Sequence, residues 1–168
     1  MKKAFKIFLA LSLVLLTAFS AVSCDDGLKT YSENGLIYKL PKEMKKGNVP
    51  VEIADSYYYN EDVEFFIYFI TRDALLVDYY LDKDCTPEEY AEDFVSWMGY
   101  ENVTTVKGET GYVIVYYVYE SETESDFYFD YIIRNEETLF HVTMCCDPEN
   151  AEKNLPIFFA WAENIRLK

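Results

Sequence analysis

The segment GYVIVYYVYESETESDFYFDYIIRNEETLFHVTMCC, residues 111–146, is the part of this 168-residue chain that says most about its fold. It contains three runs rich in β-branched and aromatic residues, at 111–119, 126–134 and 138–146, separated by short polar connections. Such runs are typical of β-strands, and connections of this length join neighbouring antiparallel strands. With a similar run at 103–107 before them, they predict an antiparallel meander of four strands.

Residues 86–99 carry the clearest helix signal, just before this meander. Thr86 can cap the helix, Pro87 suits its first position, and Glu89 completes a capping box. Gly99 is a suitable residue to end the helix. The apolar residues of this segment recur at helical spacing: Tyr90, Phe94, Trp97 and Met98. We predict an amphipathic helix that packs on the sheet with these four side chains.

The remaining elements lie at the two ends of the chain. Strands are predicted at 35–41, 63–70 and 75–81, and the last two resemble a hairpin because a short polar segment separates them. A second helical region begins at Asp147-Pro148 and continues to about Asn164, with Pro156 expected to kink or restart it. The pattern predicts one α+β domain over residues 35–168, a mainly antiparallel sheet with helices packed on it.

Residues 1–23 have the features of an export signal peptide. A basic start is followed by a ten-residue apolar run and then by small residues. The sequence Ala21-Val22-Ser23-Cys24 that closes it resembles the lipobox of bacterial lipoproteins. This resemblance implies that the Cys24 thiol carries a diacylglyceryl group and that the chain is cut just before it. The alternative is ordinary secretory cleavage, with Cys24 free or in a disulfide.

The lipobox resemblance sets the expected location of the protein. Residues 24–34 are polar and would act as a lipid-anchored tether, so the domain would face outside the cytoplasm close to the cell membrane. The full chain has a net charge of −15, and loss of Lys2, Lys3 and Lys6 with the signal changes this to −15 − 3 = −18. Such a charge argues against nucleic acid as a partner.

The order of elements resembles the Mog1/PsbP-like fold. The features that carry the resemblance are the Gly35–Pro41 strand start, a strand pair, the capped helix, the meander and a last helix ending in WAENIRLK at 161–168. The resemblance implies an antiparallel sheet with helices on it and a noncatalytic role as a binding partner. No functional residue of that family can be placed on this sequence.

Three cysteines remain in the domain if Cys24 carries lipid: Cys85, Cys145 and Cys146. Neighbouring residues of a strand point to opposite faces, so Cys85 can pair with Cys145 or with Cys146 but not with both. Alternatively, all three are small buried core residues. The sequence contains no Cys-x-x-Cys motif, no His and Cys cluster and no glycine-rich loop, so we predict no cofactor.

Few residues suggest catalysis or metal binding. His141 and Cys145 share a strand face but would lie about 13 Å apart, too far for proton transfer, so His141 is predicted to be a half-exposed strand residue. Asp82, Asp84 and Glu88 could converge on calcium before the helix, although the twelve-residue calcium loop is absent. The predictions are therefore no catalytic residues and no metal site.

Tyrosine is unusually abundant, with 16 residues, and many lie on or near the predicted strands. Adjacent tyrosines on a strand must point to opposite faces, so some rings will be half exposed and able to contact a protein or a glycan. We predict a noncatalytic binding domain with an envelope protein or glycan as ligand. The alternatives are an envelope hydrolase that uses carboxylates or Cys85, and a weak calcium-dependent binding module.

Overall fold

The computed structural model describes residues 27–49, 54–100, 102–108, 111–120 and 125–168. The predicted signal peptide and Cys24 lie outside the described residues, so their assignment stays a prediction. None of the helices within the described ranges has the length and hydropathy needed to cross a lipid bilayer.

The described part of the chain forms a large sheet and a small sheet, and every strand pair in both is antiparallel. The strands are β1 Leu28–Glu33, β2 Leu36–Pro41, β3 Lys45–Lys46, β4 Ser56–Tyr59, β5 Glu64–Thr71, β6 Thr104–Lys107, β7 Val113–Glu120, β8 Ser125–Arg134, β9 Thr138–Cys146 and β10 Arg166–Leu167. The large sheet has the strand order β3-β4-β5-β9-β8-β7-β6, and the small sheet has the order β1-β2-β10. The predicted α+β fold class is confirmed.

The predicted meander is present as β6 to β9. Each strand pairs with the next, and the register places Phe129 opposite Met144 and Tyr131 opposite Val142. The predicted alternation along β9 is also present. Phe140, Val142 and Met144 point into one apolar core, whereas the residues between them lie on the opposite face.

The proposed tether is partly wrong, because Leu28–Glu33 form strand β1 and pair with β2 along its whole length. The turn between them is Asn34-Gly35, and both residues have a positive φ, 48° and 90°. Asn-Gly is the preferred pair for a tight hairpin turn, since both positions need the left-handed conformation. The folded domain therefore includes residues before Gly35.

The predicted strand at 75–81 is wrong, because α1 (Arg72–Val77) occupies its first part. The Thr71 hydroxyl caps this helix by accepting a hydrogen bond from the Ala74 amide, 3.2 Å away. A hairpin with β5 is impossible here because β4 and β9 already occupy both edges of β5. The segment therefore turns away from the sheet, with Leu75 fully buried.

Helix α2 (Pro87–Met98) forms as predicted, with both hydrogen bonds of the capping box between Thr86 and Glu89. Gly99 ends it with φ 67°, a left-handed conformation that glycine adopts without a steric penalty. The predicted packing face is only half correct. Tyr90 is buried and Phe94 is partly buried, whereas Trp97 is 76% exposed and Met98 is 42% exposed.

Helix α3 (Ala151–Ala162) follows a single 3₁₀ turn at Pro148–Asn150. The helix does not restart at Pro156 but continues through it, so of the two expected effects of this proline the restart is wrong and the kink stays a prediction. Proline leaves the Glu152 carbonyl without its helical donor, and both residues are on the exposed side of the helix.

The large sheet has a core on each face. Helix α3 covers one face with Phe158, which is fully buried against Phe127 and Phe129. Helices α1 and α2 cover the other face, where Leu75 and Tyr90 belong to the second apolar cluster. His141 lies on this second face and is 5% exposed, so the prediction of a half-exposed histidine is wrong. The helix that covers it could not be positioned from the strand pattern alone.

Candidate functional site

A cavity of about 340 Å³ lies between α2 and the second face of the large sheet. We call it the tyrosine pocket, because eight of its twelve lining residues are aromatic and six of these are tyrosines: Tyr68, Tyr79, Tyr90, Tyr100, Tyr117 and Tyr128. Phe94 and Trp97 of α2 complete the aromatic lining. The sheet contributes Asp130, His141 and Thr143, and Met98 is the remaining residue.

Three buried polar residues of β8 and β9 form the polar part of this pocket. Asp130 lies directly opposite Thr143, and His141 is two residues earlier on β9, so all three side chains share one face. Oδ1 of Asp130 accepts hydrogen bonds from Thr143 Oγ1 at 2.6 Å and from His141 Nε2 at 2.9 Å. The strand register therefore brings them together without help from any loop.

These contacts define the histidine tautomer. A carboxylate can only accept, so Nε2 carries a proton that points to Asp130; in the neutral imidazole Nδ1 then accepts from the Tyr90 hydroxyl at 3.2 Å. Three rings surround the imidazole with centroid distances of 5.0 to 5.7 Å: Tyr68, Tyr90 and Phe94. His141 is thus held by hydrogen bonds on both nitrogens and by aromatic packing.

The second carboxylate oxygen of Asp130, Oδ2, differs from Oδ1 in its contacts. The residue is 1% exposed, yet Oδ2 has no hydrogen-bond partner among the described residues. Burial raises the pKa of the Tyr117 hydroxyl, and the charge of Asp130 and side-chain hydrogen bonding with Tyr100 and Asp130 raise it further, so this neutral hydroxyl lies beside the carboxylate. A buried carboxylate oxygen without a donor is costly, and natural proteins usually satisfy such groups. This oxygen therefore indicates a place for a ligand.

A second cavity, of about 520 Å³, lies beside the tyrosine pocket and shares five lining residues with it, Trp97 among them. We call it the rim cavity. Its further lining includes three exposed carboxylates, from Asp55, Asp78 and Asp93, together with Tyr80. Tyr80 is 89% exposed and has a φ of 58°, so its ring projects into solvent from a left-handed backbone position.

The cysteines do not pair. Cys85, Cys145 and Cys146 are all free and buried, and each belongs to a different apolar cluster. Burial raises the pKa of each of the three thiols above its ordinary value. The alternative of small buried core cysteines is therefore correct, and the disulfide between Cys85 and Cys145 or Cys146 is not formed.

The hydrolase alternative has no activated nucleophile at this site. The hydrogen bonds of His141 go to Asp130, Tyr90 and Thr143, none of them to Cys85. Tyr90 takes the place that a nucleophile would occupy in a triad, but burial raises the pKa of its hydroxyl. His141 Nδ1 is a base within reach of this hydroxyl, but a raised pKa is the opposite of the shift that activates a nucleophile, so Tyr90 stays protonated and weakly nucleophilic.

The three carboxylates considered for calcium have other partners. Asp84 forms ion pairs with Arg72 at 2.6 Å and with Arg134 at 3.6 Å, and Glu88 pairs with Lys107. Asp82 accepts a hydrogen bond from the Asp84 amide at 2.8 Å. Within the described ranges, no group of three or more His, Cys, Asp or Glu residues is placed to hold a metal ion. The suggested convergence on calcium is therefore wrong.

The sequence does contain a signal for the polar part of the pocket. Asp130 interrupts the otherwise apolar and aromatic run of β8, FYFDYII at 127–133. On a strand, such a residue must be buried or must reach a partner on the next strand. Which partner it has depends on the register with β9 and on the helix above, and neither follows from local pattern.

Comparisons with known proteins define the fold of this chain. It is similar to the solution structure of cyanobacterial PsbP (CyanoP) from Synechocystis sp. PCC 6803, with a TM-score of 0.60 and 14% identity, over 89% of this chain and 99% of that chain. It is also similar to a Bacteroides thetaiotaomicron VPI-5482 protein, with a TM-score of 0.53 and 12% identity over 84% of this chain. This chain spans about half of that second protein, 49%.

The domain therefore has a PsbP-like α+β fold, as its element order suggested. No family model matches the sequence, and no curated protein matches it. At these identities the similarity concerns the fold, and function must be argued from the site.

Proposed function

We propose that this protein is a noncatalytic, lipid-anchored extracytoplasmic domain that binds a protein partner at the tyrosine pocket and the rim cavity. The observation that carries the proposal is an open aromatic surface, in which Trp97 and Tyr80 are 76% and 89% exposed beside a pocket of ligand size.

The surroundings of this surface favour a protein over a glycan. Leu76 and Val77 of α1 are 56% and 64% exposed, so aliphatic surface is present in the helix just before Tyr80. Aromatic residues beside exposed aliphatic ones are typical of the centre of protein interfaces. A noncatalytic role agrees with what resemblance to the PsbP-like fold implies and with the raised pKa of Tyr90 and Cys85, both caused first by burial.

The binding site can be tested in intact cells by photo-crosslinking. A photoreactive amino acid introduced at Trp97 should give covalent adducts under light, because this side chain lies at the mouth of the pocket. The same amino acid at Ile157, an exposed position of α3 that lines neither cavity, is the matched control. Intact-mass measurement then identifies the adduct. Equal yields at both positions would refute the site, and a carbohydrate adduct would refute the protein partner.

The lipid anchor is tested separately. Cys24→Ala should abolish incorporation of a labelled fatty acid and release the protein from the membrane fraction. Cys85→Ala is the matched control, because Cys85 is a buried core residue and its loss should leave labelling intact. Full membrane retention of Cys24→Ala would contradict anchoring through this thiol.

A further inference from the structure

We propose that the tyrosine pocket receives a lysine side chain of the protein partner, with the ammonium group bound to Oδ2 of Asp130. This inference rests on the proposed function and names the chemical group that the site recognises.

The first argument is the unpaired oxygen. Asp130 is 1% exposed, and Oδ2 is a buried acceptor with no donor among the described residues. The pocket lining contains no lysine or arginine, and the hydroxyl beside this carboxylate, that of Tyr117, is a neutral donor that forms no hydrogen bond to Oδ2 within 3.5 Å. A buried anionic acceptor of this kind binds a cationic donor more strongly than a neutral one, because hydrogen bonds between charged groups are shorter and stronger.

The second argument is the aromatic lining. Cations are attracted to the faces of tyrosine and tryptophan rings, and aromatic cages are a common way to bind alkylammonium groups. Burial, followed by the charge of Asp130, raises the pKa of Tyr68 and of Tyr117, so these hydroxyls stay neutral. The ligand would therefore meet one carboxylate inside an otherwise uncharged set of tyrosine rings.

The geometry of Asp130 favours lysine over arginine. Arginine binds carboxylates best with two parallel hydrogen bonds, which require both oxygens. Oδ1 is already occupied by Thr143 and His141, at 2.6 and 2.9 Å. A single free oxygen suits a single ammonium donor, and the remaining ammonium protons can reach tyrosine hydroxyl oxygens around it.

The approach to the pocket also favours a cation. Asp55, Asp78 and Asp93 add three exposed carboxylates at the neighbouring rim cavity. The whole chain has a net charge of −15, so long-range attraction raises the local concentration of a basic partner. The alkyl part of the lysine can pack against Trp97 and Phe94, which line both cavities.

The chain offers its own reporter of binding. It contains one histidine, His141, and this residue lies in the pocket lining, so an untagged protein gives the imidazole signals of a single residue in NMR spectra. The full chain in detergent is titrated with Nα-acetyl-lysine methylamide. The arginine and norleucine analogues test charge and shape, and cadaverine represents a free amine.

We expect the lysine amide to shift the imidazole signal in a saturable way, the arginine amide to bind at least about fivefold more weakly, and the norleucine amide not to bind. Asp130→Asn should weaken lysine binding by about tenfold or more, the loss of one charged hydrogen bond. Asp147→Asn, an exposed carboxylate that lines neither cavity, should change it by less than about twofold.

The amide oxygen introduced by Asp130→Asn can still accept from both Thr143 and His141, so the fold should persist, and a thermal melt verifies this. If the variant does not fold, Trp97→Ala serves instead, with a loss of about threefold or more expected against no change for Ile157→Ala. Equal binding by the norleucine amide, or by folded Asp130→Asn, would overturn the inference. Binding of cadaverine without the lysine amide would overturn it in favour of a free amine. Specific crosslinks at position 97 without any lysine effect would overturn only the lysine assignment and leave the proposed function intact.

Discussion

Glu33 on β1 joins the small sheet to the large sheet, and its replacement by Gln gives a quantitative test of the fold. Its Oε2 accepts a hydrogen bond from Ser56 Oγ at 2.5 Å. Its Oε1 accepts from Lys46 Nζ at 2.9 Å and from Tyr58 OH at 3.1 Å. Burial alone would raise the pKa of Glu33, but the hydrogen bonds from Ser56, Lys46 and Tyr58 outweigh it and hold the pKa below its ordinary value.

The expected loss of stability in Glu33→Gln follows from these contacts. A hydrogen bond to a charged group contributes about 1.5–3 kcal/mol and a neutral one about 0.5–1.5 kcal/mol, so in Glu33→Gln each bond that stays on the amide oxygen weakens by about 1 kcal/mol. The amide nitrogen cannot accept, so with the oxygen facing Lys46 and Tyr58 it must instead donate to Ser56 Oγ. The ion pair between Lys46 and Glu33 is expected to add less than about 1 kcal/mol to this loss, because the Lys46 side chain is 58% exposed and solvent screens its charge. We therefore expect a loss of about 1–2 kcal/mol at neutral pH, which lowers Tm by roughly 3–8 °C for a domain of this size.

The pH dependence of the free energy of unfolding tests the sign of the contribution from Glu33. The folded pKa of Glu33 is lowered, so its contribution is complete above the ordinary value of 4.5 and is lost as the pH falls through the folded pKa. Urea unfolding of the wild type and Glu33→Gln should differ at pH 7, and the difference should be smaller at a second, acidic pH below 4.5. The exposed residue Glu43 gives the control, and Glu43→Gln should match the wild type at both pH values. A difference that is absent at pH 7, or equally large at low pH, would refute the argument.

Three further predictions concern other parts of the domain. Thr86→Ala should destabilise the domain by about 1 kcal/mol in urea unfolding, whereas Ser96→Ala in the last turn of the same helix should not. Phe158→Ala should cost about 3–5 kcal/mol, because the side chain is fully buried, and a cost below about 1 kcal/mol would contradict the described packing. Buried tyrosines such as Tyr90 and Tyr117 have raised pKa values, chiefly because of burial, so stability should fall as the pH rises above their ordinary value of 10.0. Tyrosinate absorbance should then appear together with unfolding, and its appearance in the native state would contradict this.

The elements predicted correctly from sequence are those whose signal is local. The meander of β6 to β9 follows from alternation and short connections, and α2 follows from the capping box of Thr86 and Glu89. Even the missed hairpin of β1 and β2 had a local signal in Asn34-Gly35. The incorrect strand at 75–81 has the right composition for a strand, but no free sheet edge exists beside β5.

From the amino-acid order alone follow an α+β chain with an antiparallel meander, a capped helix, an acidic charge and many tyrosines on strands. The three-dimensional packing was needed to show that Asp130, His141 and Thr143 form one buried polar group and that α2 leaves Trp97 exposed above it. The physical reason is that these contacts depend on strand register and on where a helix lies over the sheet. Those are set by packing between residues far apart in the chain, and a local pattern holds no information about which oxygen is left unpaired.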